Sequence, residues 1–143
     1  MPKCYLIALA AGSSVDQQSN NVTLFNLVEQ VSVPPGIDPP PGSKVPLEMH
    51  AYLQLGAGEM GQEFEMRFAL VGPTGLETYT DSKSHRGATA RIRTRALGVP
   101  FPALLGHYEL RIDFRSADGS WERDDASWPV AFLKAQAKPS VTH

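Results

Sequence analysis

Three observations predict an all-β chain folded as an antiparallel β-sandwich of about eight strands: alternating apolar and polar residues, turn signals about every 8–12 residues, and no sustained helical period. The alternation is clearest in three segments. Val45, Leu47, Met49, Ala51, Leu53 and Leu55 alternate with Pro46, Glu48, His50, Tyr52 and Gln54. Phe64, Met66, Phe68 and Leu70 alternate with Glu63, Glu65, Arg67 and Ala69. Tyr108, Leu110, Ile112 and Phe114 alternate with Glu109, Arg111, Asp113 and Arg115. A period of two places one face of a strand in the core and the other in water, as antiparallel sheets do. Twelve glycines and twelve prolines in 143 residues supply the turns. A closed or partly open β-barrel is the alternative arrangement.

The elements follow in order. Residues 3–11 read as a first strand, because the apolar run after Lys3 is short for a signal peptide and its leading segment is weakly basic. Residues 22–33, "VTLFNLVEQVSV", form a second strand rich in β-branched side chains. The run "PPGIDPPPGSK" at 34–44 is too dense in proline for a regular element and forms a surface loop. Two strands then flank residues 56–61, and "GPTG" turns the chain into a short strand at 76–80. A strand at 88–99 ends at Pro100 and Pro102, and another occupies 107–115. Asp118-Gly119 is a hairpin signal leading to a last strand that ends near residue 134. Residues 1–134 therefore make one domain, and 135–143 a flexible tail.

The segment "LLGHYELRI" narrows the type of sandwich. A glycine shortly before a tyrosine that opens a core strand matches the tyrosine corner of immunoglobulin and fibronectin-III domains, where the hydroxyl ties a loop to the strand.

One motif argues for a different fold. Gly56, Gly58 and Gly61 form a literal G-x-G-x-x-G after a strand. A dinucleotide loop needs a buried parallel strand before it and a helix after it, whose N-terminal N–H groups hold the pyrophosphate. Here an alternating strand precedes the glycines and a second one follows, so the segment reads as a connection between two paired strands.

The remaining chemistry is sparse. A net charge of −2 predicts no nucleic-acid or anionic-membrane partner. The single cysteine, Cys4, lies in an apolar run and reads as a buried, inert thiol. His50, His85, His107 and His143 show no H-x-H or H-x-x-x-H spacing for a metal, and no G-x-S-x-G elbow presents a serine to a base. Asp124-Asp125, Asp16, Glu63 and Glu65 fall at positions expected to be solvated. No cofactor site and no catalytic residue is assigned.

Two groups stand out as candidate sites. Glu29 interrupts an apolar strand, and either a strand end turns it outward or it lines a groove with His50 and Tyr52. Arg91, Arg93 and Arg95 form a basic stripe, and Glu109, Arg111 and Asp113 occupy outward positions on the next strand. The expected arrangement is a cross-strand charge ladder between them; the alternative is an interaction surface.

The segments "SVDQQSNNVTLFNLVEQVSVP", "LEMHAYLQLGAGEMGQEFEMRFALVGPTG" and "LGVPFPALLGHYELRIDF" resemble, in that order, a family of small bacterial proteins known only as a domain of unknown function. The resemblance spans most of residues 2–134 and implies a β-rich single domain in the bacterial cytoplasm; it carries no activity and no site residue. A secreted or periplasmic chain is the alternative location. The functional expectation is a non-enzymatic protein–protein recognition module, binding a protein partner or itself. A small-ligand or carbohydrate binder is the alternative and an enzyme the third reading.

Overall fold

The computed structural model describes residues 1–135. Its strands are β1 (Lys3–Val15), β2 (Val22–Leu27), β3 (Gln30–Val33), β4 (Lys44–Gln54), β5 (Glu63–Val71), β6 (Glu77–Tyr79), β7 (Lys83–Arg86), β8 (Arg91–Pro100), β9 (Gly106–Ser116), β10 (Glu122–Arg123) and β11 (Trp128–Lys134). They form two sheets. One has four strands in the order β2-β1-β4-β8. The other has seven: five run β3-β11-β9-β5-β6, with β10 beside β9 and β7 beside β5. Every ladder is antiparallel except the parallel pair of β3 and β11. Taken in chain order, β1, β4 and β8 fall in one sheet and β5, β9 and β11 in the other. This is the A-B-E and C-F-G division of immunoglobulin domains.

The core fills the space between the sheets, and the alternation names its members. Ile7, Leu9, Met49, Ala51, Leu53 and Val99 point inward from the four-stranded sheet. Phe64, Met66, Phe68, Leu70, Leu110, Ile112, Phe114, Val130 and Phe132 meet them from the other. Tyr108 belongs to this core, and its hydroxyl donates to the Leu104 carbonyl at 2.5 Å, four residues upstream. The corner expected from "LLGHYELRI" is therefore present. Cys4 is buried, and burial pushes its thiol up to about 11, which keeps it protonated and unreactive.

The structure corrects the strand list in four places. Residues 22–33 are two strands: β2 ends at Leu27, one residue after Asn26 takes a left-handed conformation (φ 51°). Residues 28 and 29 then cross from one sheet to the other: Val28 N–H donates to Leu9 O, and Glu29 O accepts from Ala131 N–H. The glycine segment is not a hairpin, since β4 and β5 lie in different sheets. It carries a short 3₁₀ turn at Ala57–Glu59, closed by the Glu59 carboxylate on Gly56 N–H at 2.7 Å, and strand β5 follows where a nucleotide fold would start a helix. The segment before β8 holds an unexpected strand, β7. Finally, the last strand breaks at residues 124–127, leaving β10 and β11 on the same neighbour, β9.

Residues 34–43 run as the expected loop. Lys134 Nζ holds it through Ile37 O and the Asp38 carboxylate, and Gly42 N–H donates to Phe101 O at 2.8 Å. The tail expected to be flexible, His143 included, lies outside the described residues apart from Ala135.

Candidate functional site

The arginine stripe has no ladder with β9. Strands β8 and β9 follow one another in the chain but belong to different sheets, so Arg91, Arg93 and Arg95 cannot face Glu109 and Asp113. Instead β8 pairs with β4, setting Arg91 opposite Gln54, Arg93 opposite Tyr52 and Arg95 opposite His50. Directly opposed residues share a face. Two groups that look separate in the sequence, the stripe and the His50/Tyr52 pair, thus make one surface on the outer side of the four-stranded sheet.

The β1–β2 hairpin roofs part of this surface. Its tip is tied down by Arg93, whose guanidinium donates to Asn20 O at 2.8 Å and Asn20 Oδ1 at 2.9 Å. Beneath the hairpin, Ser13, Val15 and Val22 face His50, Tyr52, Arg93, Thr94 and Arg95 around a groove of about 210 Å³. At its floor the Ser13 hydroxyl donates to Glu48 Oε1 at 2.7 Å, and His50 Nε2 meets the same oxygen at 2.9 Å. Because the carboxylate is an acceptor, Nε2 carries the proton. The Ser13 hydrogen bond, aided by His50 and Arg95 against partial burial, holds the Glu48 carboxyl below the usual carboxylate range.

Serine, glutamate and histidine side by side invite comparison with a hydrolase triad, but the wiring differs. A triad sets the imidazole between serine and carboxylate so that the ring accepts the hydroxyl proton. Here both Ser13 and His50 converge on the carboxylate, so the imidazole does not accept the serine proton. The arrangement fixes His50 and Glu48 in place.

The other candidates go elsewhere. Glu29 is exposed at the crossing between β2 and β3 and is not among the residues lining the His50/Tyr52 groove. Arg111 is a brace: its guanidinium donates to Ala126 O at 3.0 Å and Asp124 O at 2.8 Å, with Glu109 at 3.3 Å. Asp113 is not solvated as expected. It is 2 % exposed and accepts from Arg67 at 3.0 Å and Arg123 at 2.8 Å. Asp124 is also structural, accepting from Cys4 N–H at 3.0 Å. His50, His85 and His107 lie on β4, β7 and β9, and no group of metal-ligating side chains forms among the described residues.

The rewired stripe gives separable expectations. Arg93→Gln should lower stability by about 1 kcal/mol through the two lost hydrogen bonds at the hairpin tip. The Arg91 side chain makes no hydrogen bond or ion pair among the described residues, its carbonyl alone accepting from the Thr89 hydroxyl, so Arg91→Gln should stay within about 0.5 kcal/mol of the parent. Urea unfolding of the two single variants checks this, and equal losses would mean that the hairpin is not held by Arg93.

Comparison with known proteins adds little. No family model matches the chain, and no curated protein matches it. Among solved structures, the soluble domain of PmoD from Methylocystis sp. aligns over 92 % of this chain and 98 % of its own, with 11 % identity and a TM-score of 0.32. A likeness that distant supports no argument about function.

Proposed function

We propose that this protein is a non-enzymatic recognition module that binds a protein partner through the outer face of its four-stranded sheet. The observation supporting this reading is the concentration of exposed apolar side chains there. Leu6, Phe25, Leu27 and Leu97 are 42 %, 48 %, 54 % and 62 % exposed. Register places them on one face: Leu6 is opposite Tyr52, Leu27 opposite Ala10, Phe25 opposite Gly12 and Leu97 opposite Glu48. Ala8 and Ala10, which lie between these side chains on β1, are themselves covered (1 % and 0 % exposed), so the surface a partner would meet is made by the larger flanking side chains. Exposed large apolar side chains gathered on one face beside charged ones are an ordinary mark of a protein interface. Burying each large side chain would contribute on the order of 1.5–3 kcal/mol before association costs. A cytoplasmic location is part of the proposal: the lone, buried thiol suits a reducing compartment.

The test is a paired substitution. Phe25→Ser with Leu27→Ser should leave the melting temperature nearly unchanged, because both side chains are half in water. It should abolish the retention of partner proteins by the immobilised chain in a native lysate of the source organism. A control substitution on the opposite sheet, Glu122→Gln, should retain them. Retention unchanged by the paired substitution sinks the proposal.

A further inference from the structure

We propose that the groove under the β1–β2 hairpin is a binding site for a carboxylate carried on a small apolar stem, with Arg95 as its anchor. This does not depend on the apolar face being an interface; it rests on the groove alone. Of the two arginines that line the groove, Arg95 has the freer guanidinium. Its side chain makes a long contact from Nη1 to Ser13 Oγ at 3.4 Å and a 3.8 Å approach to Glu48 Oε2. The guanidinium has five N–H donors in a planar fork that fits a carboxylate with two parallel hydrogen bonds, and the side chain is 52 % exposed at the groove's mouth. Arg93, by contrast, has committed two donors to Asn20.

Charge and size select the ligand class. The two arginines and the ionised Glu48 leave the groove with one net positive charge. A monoanion neutralises that charge, whereas a phosphate dianion would face the Glu48 carboxylate with a charge in excess. The remaining walls are apolar or amphipathic: Val15 and Val22 on the hairpin, and the Tyr52 ring, whose hydroxyl donates to no acceptor among the described residues. At about 210 Å³ the groove holds roughly seven waters' worth of volume, enough for a small organic acid or one acidic side chain and too little for a nucleotide. Both sources present the same chemistry.

Sodium benzoate is a suitable probe, with benzamide as its neutral isostere, followed in ¹⁵N–¹H spectra of the full chain. Benzoate should bind with Kd on the order of 1 mM, as expected of a fragment-sized ligand. It should shift the Arg95 Nε–H signal and the amides of Val15, Val22 and Tyr52. Arg95→Gln should weaken it at least tenfold, and Val22→Trp, which fills the groove while keeping the guanidinium, should do the same. Both variants change partly exposed positions, and their spectra report directly whether the fold is kept. Acetyl-Leu-Glu-Leu-amide against its Gln counterpart separates the sources. A Glu peptide binding tighter than benzoate identifies a partner's side chain, and a silent peptide beside a bound benzoate identifies a free acid. Benzamide equal to benzoate, phosphate tighter than benzoate, an unaffected Arg95→Gln variant, or no shift by 50 mM (about fifty times the expected Kd) would each overturn the proposal.

Discussion

Tyr108→Ala is expected to destabilise the fold by about 3–5 kcal/mol, and Tyr108→Phe by only about 1 kcal/mol. The difference separates two jobs of one side chain. The ring is 5 % exposed and meets Phe132 edge-on at 5.7 Å between centroids, while Phe132 meets Phe101 in the same way. Removing the ring leaves a cavity at the end of that aromatic row, beside Phe132. Gly72 on the neighbouring connection has been shaped around it: a Cβ there would lie 2.7 Å from Tyr108 Cε1. Such close packing leaves little room for the surroundings to relax into the void, which places the loss toward the upper end. The hydroxyl makes one hydrogen bond, to Leu104 O, and Phe substitution removes that alone. Guanidinium unfolding of the two variants gives both numbers. Equal, small losses would mean that the corner holds neither the loop nor the core.

That tyrosine was legible in the sequence because its signal is local: a glycine, then a tyrosine, then alternation. The same holds for the core. Phe64 to Leu70 and Tyr108 to Phe114 alternate, and a pleated strand has no way to satisfy that pattern except by burying one face. What alternation does not encode is which strand lies beside which. Chain neighbours pair or adjoin only about two-thirds of the time. The glycine segment at 56–61 and the link from β8 to β9 both belong to the remainder, each passing from one sheet to the other. An arginine stripe followed by an acidic one then suggests a ladder that the topology forbids.

The candidate groove was half legible for the same reason. His50, Tyr52, Arg93 and Arg95 could each be read as outward-facing, but their meeting depends on the β4–β8 register, with a one-residue shift between Val45 and Glu48. The hairpin roof depends on a long-range contact, Arg93 to Asn20 across 73 positions. No local pattern announces such a contact. Asn26 was a missed local sign: among the residues of that strand it is the one that tolerates a left-handed backbone, and it stands just before residues 28 and 29, where the chain changes sheets.

Asp113→Ala should cost about 2–4 kcal/mol, and here the sequence pattern misleads most. By alternation Asp113 points away from the core, and it does, yet it is as buried as the core itself. On that outer face Arg67 and Arg123 close over the carboxylate, and aromatic rings close over the arginines. The Arg67 guanidinium lies 3.7 Å from the Tyr79 ring centre and 4.3 Å from that of Trp121, with Arg115 4.3 Å from the same indole. Arg123 also reaches Glu77, and Arg115 reaches Glu65. Removing one partner of a buried ion pair typically costs 3–5 kcal/mol because the other charge is left without compensation. The arginines are 19 % and 30 % exposed, so water recovers part of that loss, which sets the lower range. Arg67→Met should cost less, about 1–2 kcal/mol, since Arg123 still covers Asp113 with two contacts, at 2.8 Å and 3.3 Å. Salt distinguishes this cluster from the exposed pair of Arg86 and Glu63. Raising ionic strength to 1 M screens exposed charges within about 3 Å and should erase the effect of Glu63→Gln, which breaks that pair alone, while leaving the Asp113→Ala loss in place. An Asp113→Ala loss below about 1 kcal/mol, or one that vanishes in salt, would mean that the carboxylate is hydrated and that the arginine–aromatic layer stands without it.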